Sequence, residues 1–96
     1  MEVTFKPGSN LIFDTVQHEY ERLCAIFADA KYSCLHIDLG SVKQCDSAGL
    51  ALLIEATRMG KQYKIPISVK GLPEKVYALA KFCGVEEVLE VGTTNA

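Results

Sequence analysis

The sequence lacks several features that would point directly to a binding partner or a compartment. It has no cluster of basic residues able to release counterions from a nucleic acid, and its net charge of -2 argues against that partner. The longest apolar run, residues 50–54, is far too short to span a bilayer. The first ten residues contain no apolar segment typical of a signal peptide. We therefore expect a cytoplasmic protein that binds no nucleic acid and does not insert into a membrane.

Recognisable metal-binding and catalytic motifs are also absent. The chain has four cysteines without CxxC spacing, expected to be free thiols: Cys24, Cys34, Cys45 and Cys83. Cys34, His36 and Asp38 share one face of a predicted strand, but this spacing spreads them over roughly 13 Å, too far for one ion. No GxxxxGK or GxGxxG occurs, and Ser47 lacks the GxSxG context of a hydrolase nucleophile. We expect no metal, no cofactor and no catalysis.

The hydrophobic pattern predicts a single domain, residues 1–96, in which strands and helices alternate. Alternation of apolar and polar residues predicts strands over 3–6, 34–39 and 64–69, with a brief extended segment at 10–13. Strands separated by helices indicate crossover connections and parallel pairing, so the order is β-α-β-α-β-α. The polar tail, residues 91–96, is expected to fray.

Capping residues and helical periodicity predict where the helices begin and end. The first helix is expected to start at Asp14, with Gln17 completing a variant capping box, and to end near Lys31. Residues 40–45 are predicted to be a loop before the second helix, for which Gly60 is the expected stop. The third helix lies within 71–84, with Pro73 in its first turn and Gly84 just past its end. Residues 85–90 are expected to form a short final turn.

One segment, QCDSAGLALLIEA, is depleted of bulky side chains where the second helix begins. Asp46 or Ser47 can cap this helix, and the free N–H groups of its first turn can receive an anion. A cap does not explain Ala48 and Gly49, because glycine costs up to about 1 kcal/mol relative to alanine in a helix. We infer that another surface presses close to this turn.

These residues resemble the STAS domain. From Cys34 to Leu89 the chain has its strand, loop, D-S-x-G-L motif, helix, strand and last helix in order, and GSNLIFDTV resembles the segment before its first helix. The resemblance implies an α/β fold with a small mixed, largely parallel sheet and helices mainly on one face. STAS domains usually have a further strand before the one predicted at 3–6. The first edge strand is therefore expected to be short or missing, and an exposed edge invites pairing with another chain.

Two branches of the family imply different functions. DSAGLALLIE and GLPEKVYALAKFCGVEEVL are more similar to the STAS subunit of the Mla phospholipid-transport ABC system. That branch implies a non-catalytic accessory subunit that binds the transporter's ATPase, and through it the permease, at the inner membrane, in support of outer-membrane lipid asymmetry. The alternative is an anti-sigma-factor antagonist, regulated by phosphorylation of Ser47. A third possibility, an enzyme, needs a base near Ser47, for which His18 and His36 are the available histidines.

The resemblance also implies a docking site around Ser47, which occupies the position of the phosphorylated serine in the antagonist branch. Its hydroxyl offers one donor and two acceptor lone pairs to a partner. The residues expected to contact a partner beside it are Asp46, Ala48, Gly49, Leu50, Ser41, Lys43 and Gln44. The last three form the predicted polar rim, and the pattern leaves open whether Leu50 packs inward or contacts the partner.

Overall fold

The computed structural model describes residues 1–29 and 31–92, in which strands and helices alternate along most of the chain. The strands are β1 (Glu2–Phe5), β2 (Asn10–Leu11), β3 (Cys34–Asp38), β4 (Gln44–Cys45) and β5 (Ile67–Lys70). The helices are α1 (Phe13–Asp29), α2 (Ser47–Tyr63), α3 (Glu74–Phe82) and α4 (Glu86–Gly92).

The main sheet has three strands in the order β1-β3-β5, and both of its strand pairs are parallel. This confirms the small α/β sheet, although the part of it that the structure describes is wholly parallel and not mixed. β2 and β4 form a second parallel pair of two residues each. Residues 40–45, predicted to be a loop, therefore contain a short strand, because the chain before α1 runs alongside them.

One face of the main sheet carries the core. Pairing aligns Val3 with Leu35 and Leu35 with Ile67, while Phe5, Ile37 and Val69 form the next row. All four helices contribute to the same hydrophobic cluster, through these buried side chains: Leu23, Phe27, Leu50, Leu53, Val76 and Leu89. The opposite face, formed by residues such as Thr4 and His36, is polar and partly exposed.

The predicted start of the first helix is wrong by one residue, and its predicted cap is also wrong. Asp14 lies inside the first turn of α1. The hydroxyl Oγ1 of Thr15 instead accepts a hydrogen bond from the Ile12 N–H at 3.1 Å. Gln17 does not reach back, because its side-chain amide donates to Glu21 at 3.3 Å. The helix ends at Asp29, two residues before the predicted end.

The ends of α2 and α3 also correct the prediction. α2 passes through Gly60 and ends at Tyr63, where Lys64 adopts the left-handed conformation with φ 59°. A side chain at Gly60 would collide with Ile67 and lie 2.9 Å from the Ile65 carbonyl oxygen, so this glycine permits close packing of α2 on the following strand segment. Pro73 is the N-cap of α3 and not part of its first turn, whereas Gly84 follows the helix with φ 76° as expected.

The C-terminal segment forms more structure than a single turn. α4 has seven residues, and Leu89 is 0% exposed in the core. Of the tail expected to fray, residues 91 and 92 belong to α4, and residues 93–96 lie outside the described part of the chain.

Candidate partner-docking site

The carboxylate of Asp46 joins the starts of two helices. As the N-cap of α2 it has extended backbone angles, φ -111° and ψ -170°, and its Oδ1 accepts the N–H of Gly49 at 3.0 Å. Its Oδ2 accepts the N–H of Phe13, the first residue of α1, at 3.0 Å. Hydrogen bonds from Phe13 and then Gly49 hold the pKa of the Asp46 carboxyl below its usual value. Of the two capping residues that the sequence allowed, Asp46 and Ser47, the structure shows Asp46 in this role, and its capping extends to a second helix.

Gly49 is small because another part of the same chain lies against it. A Cβ at this position would overlap the Leu11 carbonyl oxygen, and it would lie 2.8 Å from the Leu11 carbonyl carbon and 3.0 Å from the Cys45 sulfur. The approaching backbone is that of β2, which α1 and β4 hold in place. A surface does press on this turn, as its small residues predicted, but at Gly49 that surface belongs to the same chain.

The remaining residues of the motif divide into inward-facing and outward-facing positions. The sequence left open whether Leu50 packs inward or contacts a partner. Leu50 is only 3% exposed, so it packs in the core. Ala48 is half-buried and Ser47 is exposed. The Ser47 hydroxyl forms no hydrogen bond with any residue that the structure describes. This hydroxyl is therefore presented on a turn whose other side is fixed by the fold.

The predicted rim residues lie in the segment between β3 and α2, in which Gln44 is the first residue of β4. Lys43 and Gln44 are exposed and Ser41 is half-buried. The backbone N–H groups of Lys43 and Gln44 donate to the Ser9 carbonyl at 2.7 and 3.1 Å, which fixes this segment against the chain preceding α1. An open groove of about 670 Å³ runs between residues 42–45 and 73–76, so the rim continues to the start of α3.

Phe13 lies next to this turn, although the sequence pattern does not single it out. Its side chain is 75% exposed, and its N–H is bonded to Asp46, the residue before Ser47. By periodicity Phe13 falls three residues before Val16 and would share the buried stripe of α1. Its position as the first residue of the helix exposes it instead. The hydrogen bond between Phe13 and Asp46 joins residues 33 positions apart, so no local signal in the sequence could have placed Phe13 beside this turn.

Among the described residues, neither histidine forms a hydrogen bond with Ser47. His36 Nε2 contacts the Glu2 carboxylate across β1 and β3, and His18 is exposed on α1. Burial, followed by the charge of Asp46, raises the pKa of the neighbouring Cys45 thiol to about 11, so this thiol is protonated at neutral pH. In residues 1–29 and 31–92, no three His, Cys, Asp or Glu side chains converge as metal ligands.

The family to which the chain belongs follows from its similarity to known proteins. A family model described as "Mlab, STAS domain" matches residues 12–90, which include α1, the Asp46–Leu50 turn and all of α3. A search of curated proteins found no match. None of the described helices is both long enough and apolar enough to cross a membrane. The match covers most of the 96 residues, and the chain belongs to the STAS domain family, in which it is most like MlaB.

Proposed function

We propose that this protein is a non-catalytic, cytoplasmic accessory subunit that docks on the ATPase of an Mla-type phospholipid-transport ABC transporter. Through that ATPase it would associate with the membrane permease and support lipid asymmetry of the outer membrane. The observation that carries the proposal is the exposed Ser47 hydroxyl, which has no hydrogen-bond partner among the described residues, on the Asp46-capped turn of an MlaB-like STAS domain.

The geometry of the turn suits a protein partner. The two Asp46 caps and the packing of Gly49 fix the backbone beneath Ser47, so little conformational entropy remains to be lost on binding. The exposed Phe13 ring supplies a large apolar contact of the type that dominates binding energy at interfaces. Lys43 and Gln44 supply the polar rim that normally surrounds such a contact.

The test is an affinity purification of the tagged chain from its native host, with co-purifying proteins identified by mass spectrometry. Wild type is compared with Ser47→Arg and with a matched control, Ala25→Arg. Ala25 is also an exposed small residue at a helical position, and it lies twelve residues, or about 18 Å, along α1 from Phe13. Thermal unfolding of each variant establishes that it is folded.

We expect wild type and Ala25→Arg to recover an ABC ATPase and its permease, and Ser47→Arg to lose both. Retention of the ATPase by folded Ser47→Arg would contradict the proposed docking site. Recovery of other chains in place of a transporter would contradict the assigned partner.

The second candidate is an anti-sigma-factor antagonist switched by phosphorylation. It is favoured by the same exposure of Ser47, since a kinase needs an accessible hydroxyl, and by its place in the first turn of α2, where the helix dipole tolerates a phosphate. In the purification this candidate predicts a small ATP-binding kinase as partner and phosphate on Ser47. An ABC ATPase with unmodified Ser47 would exclude it.

A further inference from the structure

The outer edge of β1 has backbone groups available for pairing. β1 lies at one end of the sheet, and no strand among the described residues pairs with its outer side. The N–H of Leu35 donates to the carbonyl of Pro66, directly before β5, and the N–H of Leu39 donates to that of Lys70, the last residue of β5. The backbone groups of the alternate residues of β3, such as His36, therefore face β1. By the parallel register, Val3 and Phe5 then bond to β3, and the N–H and C=O groups of Glu2 and Thr4 point outward.

The sequence of this edge is complementary to itself in one antiparallel register. Suppose that two copies pair so that the Thr4 residue of one lies opposite the Thr4 residue of the other. Glu2 of each copy then lies opposite Lys6 of the other, and Val3 lies opposite Phe5. The backbone groups of Glu2 and Thr4 point outward, and if the alternation continues to Lys6, the residue directly after β1, these opposed residues form hydrogen-bonded pairs. Opposite charges placed directly across an antiparallel pair stabilise it.

From this complementarity we propose that β1 is a dimerisation edge, at which two copies of the chain pair antiparallel about Thr4 and join their three-stranded sheets into one of six strands. The proposal concerns a surface other than the Ser47 turn and does not depend on the proposed function. We assign a second copy of this chain as the partner because residues 2–6 of two copies form the Glu2–Lys6 pair twice, once at each end of the paired strands.

The local contacts leave the required groups accessible. The Glu2 side chain is 62% exposed, and one carboxylate oxygen contacts His36, which leaves the other for Lys6 of the second copy. The hydrogen bond with His36 lowers the pKa of Glu2, so its carboxyl is ionised at neutral pH. Lys6 is exposed, and its carbonyl accepts one bond, from Arg22 at 3.3 Å, which leaves a second lone pair.

The test is sedimentation equilibrium of the purified full chain between about 5 µM and 1 mM. A pair of five-residue strands buries less area than a standard interface, so we expect a dimer Kd of roughly 10–100 µM. Lys6→Glu is expected to weaken self-association roughly three- to tenfold, and Glu2→Lys with Lys6→Glu to restore it. Thr4→Pro removes only an outward N–H and is expected to give a monomer throughout.

Two results would overturn the proposal. Wild type that remains monomeric at about 1 mM shows that the edge does not pair with itself. If Lys6→Glu associates as strongly as wild type, the contact lies on another surface. The same conclusion follows if Lys6→Glu weakens association and the double variant, Glu2→Lys with Lys6→Glu, does not restore it. The Lys6 side chain forms no ion pair within the described residues, so its substitution tests the proposal even if Thr4→Pro fails to fold.

Discussion

The two sides of the first turn of α2 differ in what determines their residues. On the inner side, Asp46 caps two helices and Gly49 admits the backbone of β2, so both residues are fixed by the chain's own packing. On the outer side, Ser47 is exposed, and its hydroxyl has no hydrogen-bond partner among the described residues. A short motif of small residues thus combines a structural requirement with a surface that we assign to a partner.

The largest expected effect on stability comes from a substitution on the inner side of the turn. Gly49→Ala places a methyl group on the Leu11 carbonyl, and because both groups belong to the backbone framework, neither can move away cheaply. We expect the free energy of unfolding to fall by about 2–3 kcal/mol. Chemical denaturation measures this. Ala51→Ser, at an exposed position of the same helix, is the control, and an equal loss in both variants would contradict the packing argument.

Asp46→Asn tests the inner side of the turn through the pH dependence of Tm. The amide has one acceptor oxygen, so one of the two N–H groups now facing the carboxylate loses its partner, and we expect Tm at pH 7 to fall by roughly 4–8 °C. The folded pKa of Asp46 is lowered from the usual 3.8, so its contribution is present above that pH and is lost as pH falls through the folded value. The difference in Tm between wild type and variant should therefore narrow from pH 5 to pH 2. A pH-independent difference would show that the carboxylate charge is not responsible.

Phe13→Ala separates stability from binding on the outer side. The ring is largely exposed, so Tm should change by no more than a few degrees, while affinity for the partner should fall about tenfold or more. Phe82→Ala is a matched control, since that ring is 89% exposed on α3. Equal loss of partner binding in both variants would indicate non-specific contact through exposed aromatic rings.

The smallest expected effect on stability is that of Ser47→Ala. The hydroxyl forms no hydrogen bond within the described chain, so its removal should leave Tm within about 2 °C of wild type. A larger decrease, measured by differential scanning calorimetry, would mean that Ser47 belongs to the structural side of the turn.

The order of β1, α1, β3, α2, β5 and α3 and the parallel pairing of the main strands could be predicted, because they follow from local periodicity. Capping chemistry limited the cap of α2 to Asp46 or Ser47. The β2–β4 pair could not, since two residues per strand leave no alternation to detect. The roles of Gly49 and Gly60 depend on Leu11 and Ile67, which approach from other elements, and the second cap of Asp46 joins residues 33 positions apart. Such long-range contacts have no signature in a single sequence.

The central claim is that the outer side of this turn binds a partner while the inner side holds the fold, and Ser47→Glu tests it most directly. Thermal unfolding and recovery of the partner ATPase are measured on the same preparations of wild type and variant. A negative charge in the first turn suits the helix dipole, so the account predicts a Tm within about 3 °C of wild type and at least a tenfold loss of partner recovery. A folded Ser47→Glu protein that recovers its partner as well as wild type does would contradict it.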